Sequence, residues 1–408
     1  MDAVRGLACV VMIVWHTADA WLTPEIHGTP AFERARLVGG FAAPSFLWLA
    51  GLSLALSTEL RPTWQRTRQG LLRAGWVLVV GYALKLFAWT VDHGAIREVR
   101  CLPTLALAIP AMAALIFAFR EPARATVRAR AIAGALGAAV LVGTYARVDG
   151  LPRSPEVLAR LDVLQGIGAA LAATTLLFFG VGRVVPSERA RAVVLGLLAL
   201  AVALATPHVV GVSLAPLPTR VADYVARTTA DPAASGARFA LFPWLGHTLY
   251  GAAIGTILRA APRDLAAFEV PFVRRPWLLT LACAAVLVAV FEAGPIAPSI
   301  TARAEWMRPV LRLVFYGTAA IGSAGVLSLL GRHARPLYDA IATMGRSSLL
   351  VYGTHLELAY GLLGVPIRQS LGWGAWAVGM VLLTASMVAT ARLAEAREAK
   401  ARRAGEAA

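Results

Sequence analysis

Four residues near the head of this chain, Asp2, Arg5, His16 and Asp19, could do chemistry, and their spacing puts them on one side of a helix. At 100° per residue, Asp2, Arg5, Cys9, Met12, His16 and Asp19 fall within about a 100° arc. The residues around them are apolar. Ionisable groups in an apolar membrane segment are expensive, so they face a bundle interior or a water-filled cavity. A guanidinium such as Arg5 suits a phosphate, and an imidazole suits proton transfer near neutral pH. Arg5 and His16 are separated by about 16 Å along the helix axis. One face thus joins an anion-holding end to an imidazole end. Asp19, one turn beyond, could orient the His16 ring as carboxylates do in catalytic triads. The alternatives are an Asp2–Arg5 pair that only fixes packing and a solvated loop role for Asp19.

Further along, Ser348, Tyr352 and His355 follow an i, i+4, i+7 pattern and share a helix face. They could line a pocket, or act as hydrogen-bonding glue between helices. Arg346 could join Arg5 in neutralising a phosphate, or pair with Asp2 or Asp339. His247, just after Pro243-Trp244, is a further pocket candidate; the alternative is a buried histidine hydrogen-bonded in the core. Asp162 and Gln165 could line a cavity at the head of the sixth apolar segment. His27 is a second imidazole in the loop after the first segment. Gly251-x-x-x-Gly255 reads as a close-packing motif, not a phosphate loop. Glu292 and Glu357 are membrane carboxylates without an assigned role. Cys9, Cys101 and Cys283 lie in or beside apolar segments, with no metal-ligand or disulfide spacing, so no metal is expected.

Composition explains what must position these groups. The 408 residues are 58% hydrophobic and only 15% charged, with a mean hydropathy of +0.66; soluble domains carry about 25% charged residues. Apolar blocks near span length fall at roughly 3–21, 38–57, 72–91, 102–119, 131–148, 161–182, 192–210, 239–258, 277–296, 309–330, 339–363 and 373–391. The expectation is an all-α polytopic membrane helix bundle of about 11–12 transmembrane helices. It forms one membrane domain over residues 1–392, followed by a basic tail over 393–408. The net charge of +16 is spread over short loops, which is topology information and not a nucleic-acid footprint. Arginines concentrate in alternate loops, on the side that also holds Arg5 and the tail, which places both termini in the cytoplasm. Asp2 cancels Arg5, so the first segment does not read as a cleavable signal.

The motifs also resemble a known family. Asp2-x-x-Arg5-Gly6 with His16, and the second segment Phe41-Ala42-Ala43-Pro44-Ser45-Phe46-Leu47-Trp48-Leu49-Ala50-Gly51, resemble the heparan-alpha-glucosaminide N-acetyltransferase catalytic-domain family. Val163-Leu164-Gln165-Gly166-Ile167-Gly168, Phe242-Pro243-Trp244-Leu245-Gly246 and Met344-Gly345-Arg346-Ser347-Ser348 through His355 look like the same family, in the expected order. A more remote similarity is to bacterial membrane O-acyltransferases that modify sugars and antibiotics. The resemblance implies a multi-pass protein of a bacterial-type cytoplasmic (inner) membrane. It would take an acyl group, commonly acetyl, from cytoplasmic acyl-CoA to an amine or hydroxyl of an extracytoplasmic, sugar-like acceptor. A homodimer is compatible with it.

The resemblance also implies a catalytic histidine in the loop after the first helix. His27 matches it by spacing, while the residue eleven before it, Asn in the heparan branch, is His16 here. An Asp of that branch, four residues before the Pro of its second helix, is Gly40 here. The choice between His16 and His27 as base, N- against O-acylation, and acyl-histidine against direct transfer all stay open. Relatives carry a few basic residues before this Asp, which leaves open that Met1 is internal to a longer reading frame. A multi-span carrier without acyl-transfer chemistry is the alternative function, although no repeat between the two halves supports it. A structural membrane partner with a decayed site is a third.

Overall fold

The computed structural model describes residues 1–57, 63–90, 162–210, 219–226, 238–260, 280–286 and 308–406, with single positions at 132, 136 and 278. Among the described residues the regular structure is all helix, apart from one isolated bridge between Leu22 and Leu371. The helices are α1 (Asp2–Trp21), α2 (Pro24–His27), α3 (Pro30–Gly39), α4 (Ala42–Ser57), α5 (Trp64–Thr90), α6 (Val163–Val184) and α7 (Glu188–Val209). They continue with α8 (Thr219–Val225), α9 (Leu241–Ala260), α10 (Arg308–His333), α11 (Arg335–Arg346), α12 (Ser348–Ala359), a 3-10 turn at Leu362–Ile367 and α13 (Trp373–Glu406).

Six stretches of these helices are long and apolar enough to cross a membrane: Asp2–Trp21, Pro30–Ser57, Val163–Val184, Glu188–Val209, Arg308–His333 and Trp373–Lys400. Their outer surfaces are apolar too. Val193, Leu197, Leu200 and Leu204 form an exposed row on α7, and Val378, Val381 and Leu382 do so on α13. In water such rows would be a liability; against lipid tails they are the expected surface. The chain is therefore a polytopic α-helical membrane protein.

The apolar segments read at 72–91 and 239–258 are helices α5 and α9. The segment at 102–119, all of 131–148 but 132 and 136, and 277–296 apart from 278 and 280–286, Glu292 included, lie outside the described residues. The segment read as one span over 339–363 is instead two twelve-residue helices, α11 and α12, broken at Ser347. Ser347 leaves helical geometry, at φ −99 and ψ 25, while its N–H bonds the Thr343 carbonyl and its own carbonyl accepts from Val351. An apolar window does not report a one-residue break.

The chain divides into two compact units, one of residues 1–57, 187–207 and 246–408 and one of 58–186 and 208–245. In the first, α1 is central, packing on α3, α4, α10, α11, α12 and α13. Its contact with α11 is made backbone to backbone. A Cβ on Gly6 would lie 1.8 Å from the Ile341 carbonyl oxygen, and one on Gly345 would lie 1.8 Å from that of Asp2. The α4–α9 contact works the same way. A Cβ on Gly51 would lie 1.8 Å from the Thr248 carbonyl oxygen, and one on Gly251 would lie 1.9 Å from that of Trp48. Small residues at these crossings let helices approach where lipid gives no hydrophobic drive to pair them. In the second unit α5 packs on α6, and Lys85 on α5 pairs with Asp162 at 3.2 Å.

Candidate active site

The residues that could carry acyl-transfer chemistry cluster at the two ends of α1. At its start, Asp2 stands in the first turn, where a carboxylate complements the helix dipole. Arg5 donates to it at 2.9 Å, one turn on. The Arg5 side chain is about one-fifth exposed (21%), so this end is open to solvent. Cys9 and Met12, which continue the same stripe, are buried, Cys9 against Met344 and Val351. The stripe is thus polar at its ends and packed in the middle.

At the other end, His16 meets a partner 339 residues away. Its Nδ1 lies 2.8 Å from Nε2 of His355 on α12. The two ring planes differ by 2°, with centres 5.1 Å apart. Rings so far apart with such a short nitrogen–nitrogen contact lie edge to edge in nearly one plane, the orientation a ring-nitrogen hydrogen bond requires. His355 is fully buried, and its Nδ1 lies 2.8 Å from the Val351 carbonyl oxygen. Tyr352 sets its ring edge-on to His355 at 5.9 Å. Ser348 opens α12 on the same face, about 10 Å further back along the axis.

Asp19 does not hydrogen-bond His16. Its carboxylate accepts instead from the Tyr360 hydroxyl at 2.7 Å, and the Tyr360 ring stands edge-on to His16 at 5.5 Å. A short strap, residues 369–371, is bonded to the end of α1. The N–H of Gln369 bonds the Ala20 carbonyl, and those of Ser370 and Leu371 bond the Trp21 carbonyl. These bonds satisfy carbonyls that a helix end leaves without intrahelical partners. Gln369 takes φ +51 to make the turn, an uncommon conformation for a residue with a Cβ. Indole N–H groups tie α12 and α13 to α1: Trp21 donates to the Ala359 carbonyl at 3.0 Å, and Trp376 to Thr17 Oγ1 at 3.1 Å.

The remaining candidates have other surroundings. His27 ends the four-residue α2 and stacks on Phe32 at 4.2 Å. Its buried Nε2 has no hydrogen-bond partner among the described residues. Two residues earlier, exposed Glu25 is held below the usual carboxylate range by backbone hydrogen bonding and by the Thr23 hydroxyl. His247 is buried, with its ring 6.2 Å from that of Tyr316. Gln165 lies in the second unit, buried, with neither amide atom partnered among the described residues.

Arg346 pairs neither with Asp2 nor with Asp339. It grips Glu395 of α13 with Nε at 2.6 Å and Nη2 at 3.3 Å, and bonds Thr343 Oγ1 at 2.9 Å. Asp339 is taken by Arg335 at 3.0 Å. Sequence reasoning missed three participants: the Val351 carbonyl, Tyr360 and Glu395. Val351 lies within a quoted motif but acts through its backbone, which side-chain chemistry does not reveal; Tyr360 and Glu395 belong to no motif and find partners only through tertiary packing.

The model of the heparan-alpha-glucosaminide N-acetyltransferase catalytic family matches residues 1–288 of the chain. The chain belongs to this family. With its apolar helices, that makes it a membrane protein of an acetyltransferase family. The matched stretch includes α1 with His16 and Asp19, the His27 loop, α4 and α9; His355 and Tyr360 lie beyond it. No curated protein and no solved structure matches the chain.

Proposed function

We propose that this protein transfers an acyl group, in the first instance acetyl, from acyl-CoA to an amine or hydroxyl acceptor across the membrane, with His16 as the base. The observation that carries this reading is the His16 ring itself. Its Nδ1 is occupied by His355, while its Nε2 has no hydrogen bond among the described residues. Transfer from a thioester needs a base for the acceptor and a hold on the donor's phosphates. Arg5 and Arg346 supply cationic groups on α1 and α11, near the Gly6–Gly345 crossing. The break at Ser347 adds the first-turn N–H groups of α12, a natural anion site. The basic loop pattern assigns that end to the cytoplasm, where CoA is made, and His16 to the far side. Of the remaining candidates in the first unit, His27 is the rival base; Ser348, Tyr352 and His247 are secondary wall residues.

The test is transfer of label from acetyl-CoA in proteoliposomes, with glucosamine as an amine probe and glucose as a hydroxyl probe. His16→Ala should abolish transfer, while His27→Ala should retain it. Loss with His27→Ala and retention with His16→Ala would move the base to the loop. A second reading, a carrier, draws on the discontinuous α11–α12 pair, since broken helices build transporter sites. Solute flux that survives His16→Ala, with no label transferred by the wild type, would favour it.

A further inference from the structure

We infer that His355 is a positioning residue that fixes the tautomer of His16 and shares the proton His16 takes up. This rests on the reading of His16 as the base. The argument begins at Val351. A backbone carbonyl only accepts hydrogen bonds, so the 2.8 Å contact from His355 Nδ1 requires a hydrogen on that nitrogen. A neutral His355 then presents a lone pair at Nε2. That lone pair faces His16 Nδ1 at 2.8 Å, so the hydrogen between the rings sits on His16 Nδ1. In neutral His16 the remaining nitrogen, Nε2, must carry a lone pair. The tautomer follows from the chain of partners, and the near-coplanar rings aim each donor at its acceptor.

The same chain limits how many protons the pair can hold. With two imidazolium rings, two N–H groups would point at each other across 2.8 Å. One added proton is tolerated, because the inner hydrogen can move to His355 Nε2 while the new one stays on His16 Nε2. In the transfer, the acceptor's N–H or O–H bond breaks and an N–H bond forms at His16 Nε2. The acceptor's lone pair bonds the thioester carbonyl carbon, the carbon–sulfur bond breaks, and CoA leaves as thiolate. The proton held by the pair then returns to that sulfur, restoring the neutral rings. His355 is fully buried and meets no substrate; it acts through His16. His27 has no such support, its ring being stacked on Phe32 with Nε2 unpartnered among the described residues.

The experiment uses the full chain in nanodiscs and needs no acceptor. Nitrogen-15 histidine spectra should show His16 with hydrogen on Nδ1 and none on Nε2. Diethyl pyrocarbonate, which acylates an imidazole lone pair, should modify His16 at Nε2, mapped by mass spectrometry. His355→Leu should slow that modification by about tenfold or more, a modest fraction of what an oriented base contributes, and scramble the tautomer. His355→Gln, whose amide oxygen can accept from His16 Nδ1, should recover much of the rate and serves if the leucine variant fails to fold. An unchanged tautomer and unchanged reactivity in His355→Leu would overturn the inference, and so would a His355→Gln protein whose His16 tautomer scrambles and whose rate falls tenfold or more. If these signatures hold but no probe is acylated, the acyltransferase reading fails while the positioning role of His355 stands.

Discussion

Gly6 and Gly345 cross so closely that each stands against the other helix's backbone, with the Ile341 and Asp2 carbonyl oxygens 1.8 Å from where their Cβ atoms would be. The crossing ties the Arg5 end of α1 to the Arg346 end of α11. A methyl group at either position has nowhere to go, because what it meets is backbone and not a flexible side chain. Gly345→Ala should lower stability by at least about 1–3 kcal/mol, the usual range for overpacking. Thermal unfolding in detergent would read this, and an unchanged melting temperature would show the helices can slide apart.

The Asp19–Tyr360 bond separates two roles for Asp19. Were Asp19 the group that orients His16, Asp19→Asn would cost orders of magnitude in turnover, as at a triad carboxylate. The carboxylate accepts from Tyr360 instead. Asp19→Asn, whose amide oxygen still accepts, should lower turnover by less than about tenfold, or about 1.4 kcal/mol. Tyr360→Phe should lower the melting temperature, since it removes a hydrogen bond to a charged group worth about 1.5–3 kcal/mol. A thousandfold loss in Asp19→Asn would return Asp19 to the catalytic group.

Arg346 is held by Glu395 in the side-on geometry it would use for a phosphate. Donor and Glu395 should therefore compete for the guanidinium. Glu395→Gln should lower KM for acetyl-CoA, and Arg346→Gln should raise it, with turnover little changed in both. Stability should hardly move, because a surface ion pair contributes about 0–1 kcal/mol. Steady-state kinetics varying acetyl-CoA decide the matter, and a raised KM in Glu395→Gln would refute the competition.

Gln165 is buried with both amide atoms unpartnered among the described residues. Leaving a buried polar group unsatisfied costs about 1–3 kcal/mol. Gln165→Leu should consequently raise the melting temperature. A lowered melting temperature would mean the amide has a partner in the working protein.

Much of the fold was legible because span formation is local. A run of apolar residues near span length must bury its backbone polar groups in helix wherever it lies in lipid, and the segments at 3–21, 161–182, 192–210, 309–330 and 373–391 correspond to long apolar helices. Gly251-x-x-x-Gly255 announced a close crossing, and Gly251 lies against the Trp48 backbone. Ser347 was not legible, since a break of one residue leaves hydropathy unaltered.

The candidate site divides the same way. Helical phase alone put Asp2, Arg5, His16 and Asp19 on one face of α1, because 3.6 residues per turn is a property of the backbone. Likewise, Ser348, Tyr352 and His355 share α12. What that face meets depends on which helix packs there. Only the tertiary structure joined His16 to His355, gave Asp19 to Tyr360, and turned Arg346 to Glu395, across separations of 339, 341 and 49 residues. Hydrogen bonds reach about 3 Å, so the partner is chosen by packing and not by spacing along the chain. The sequence by itself determined a membrane bundle with a polar stripe on its first helix. The crossing of α1 with α11 and α12 decided which His16 ring nitrogen meets His355.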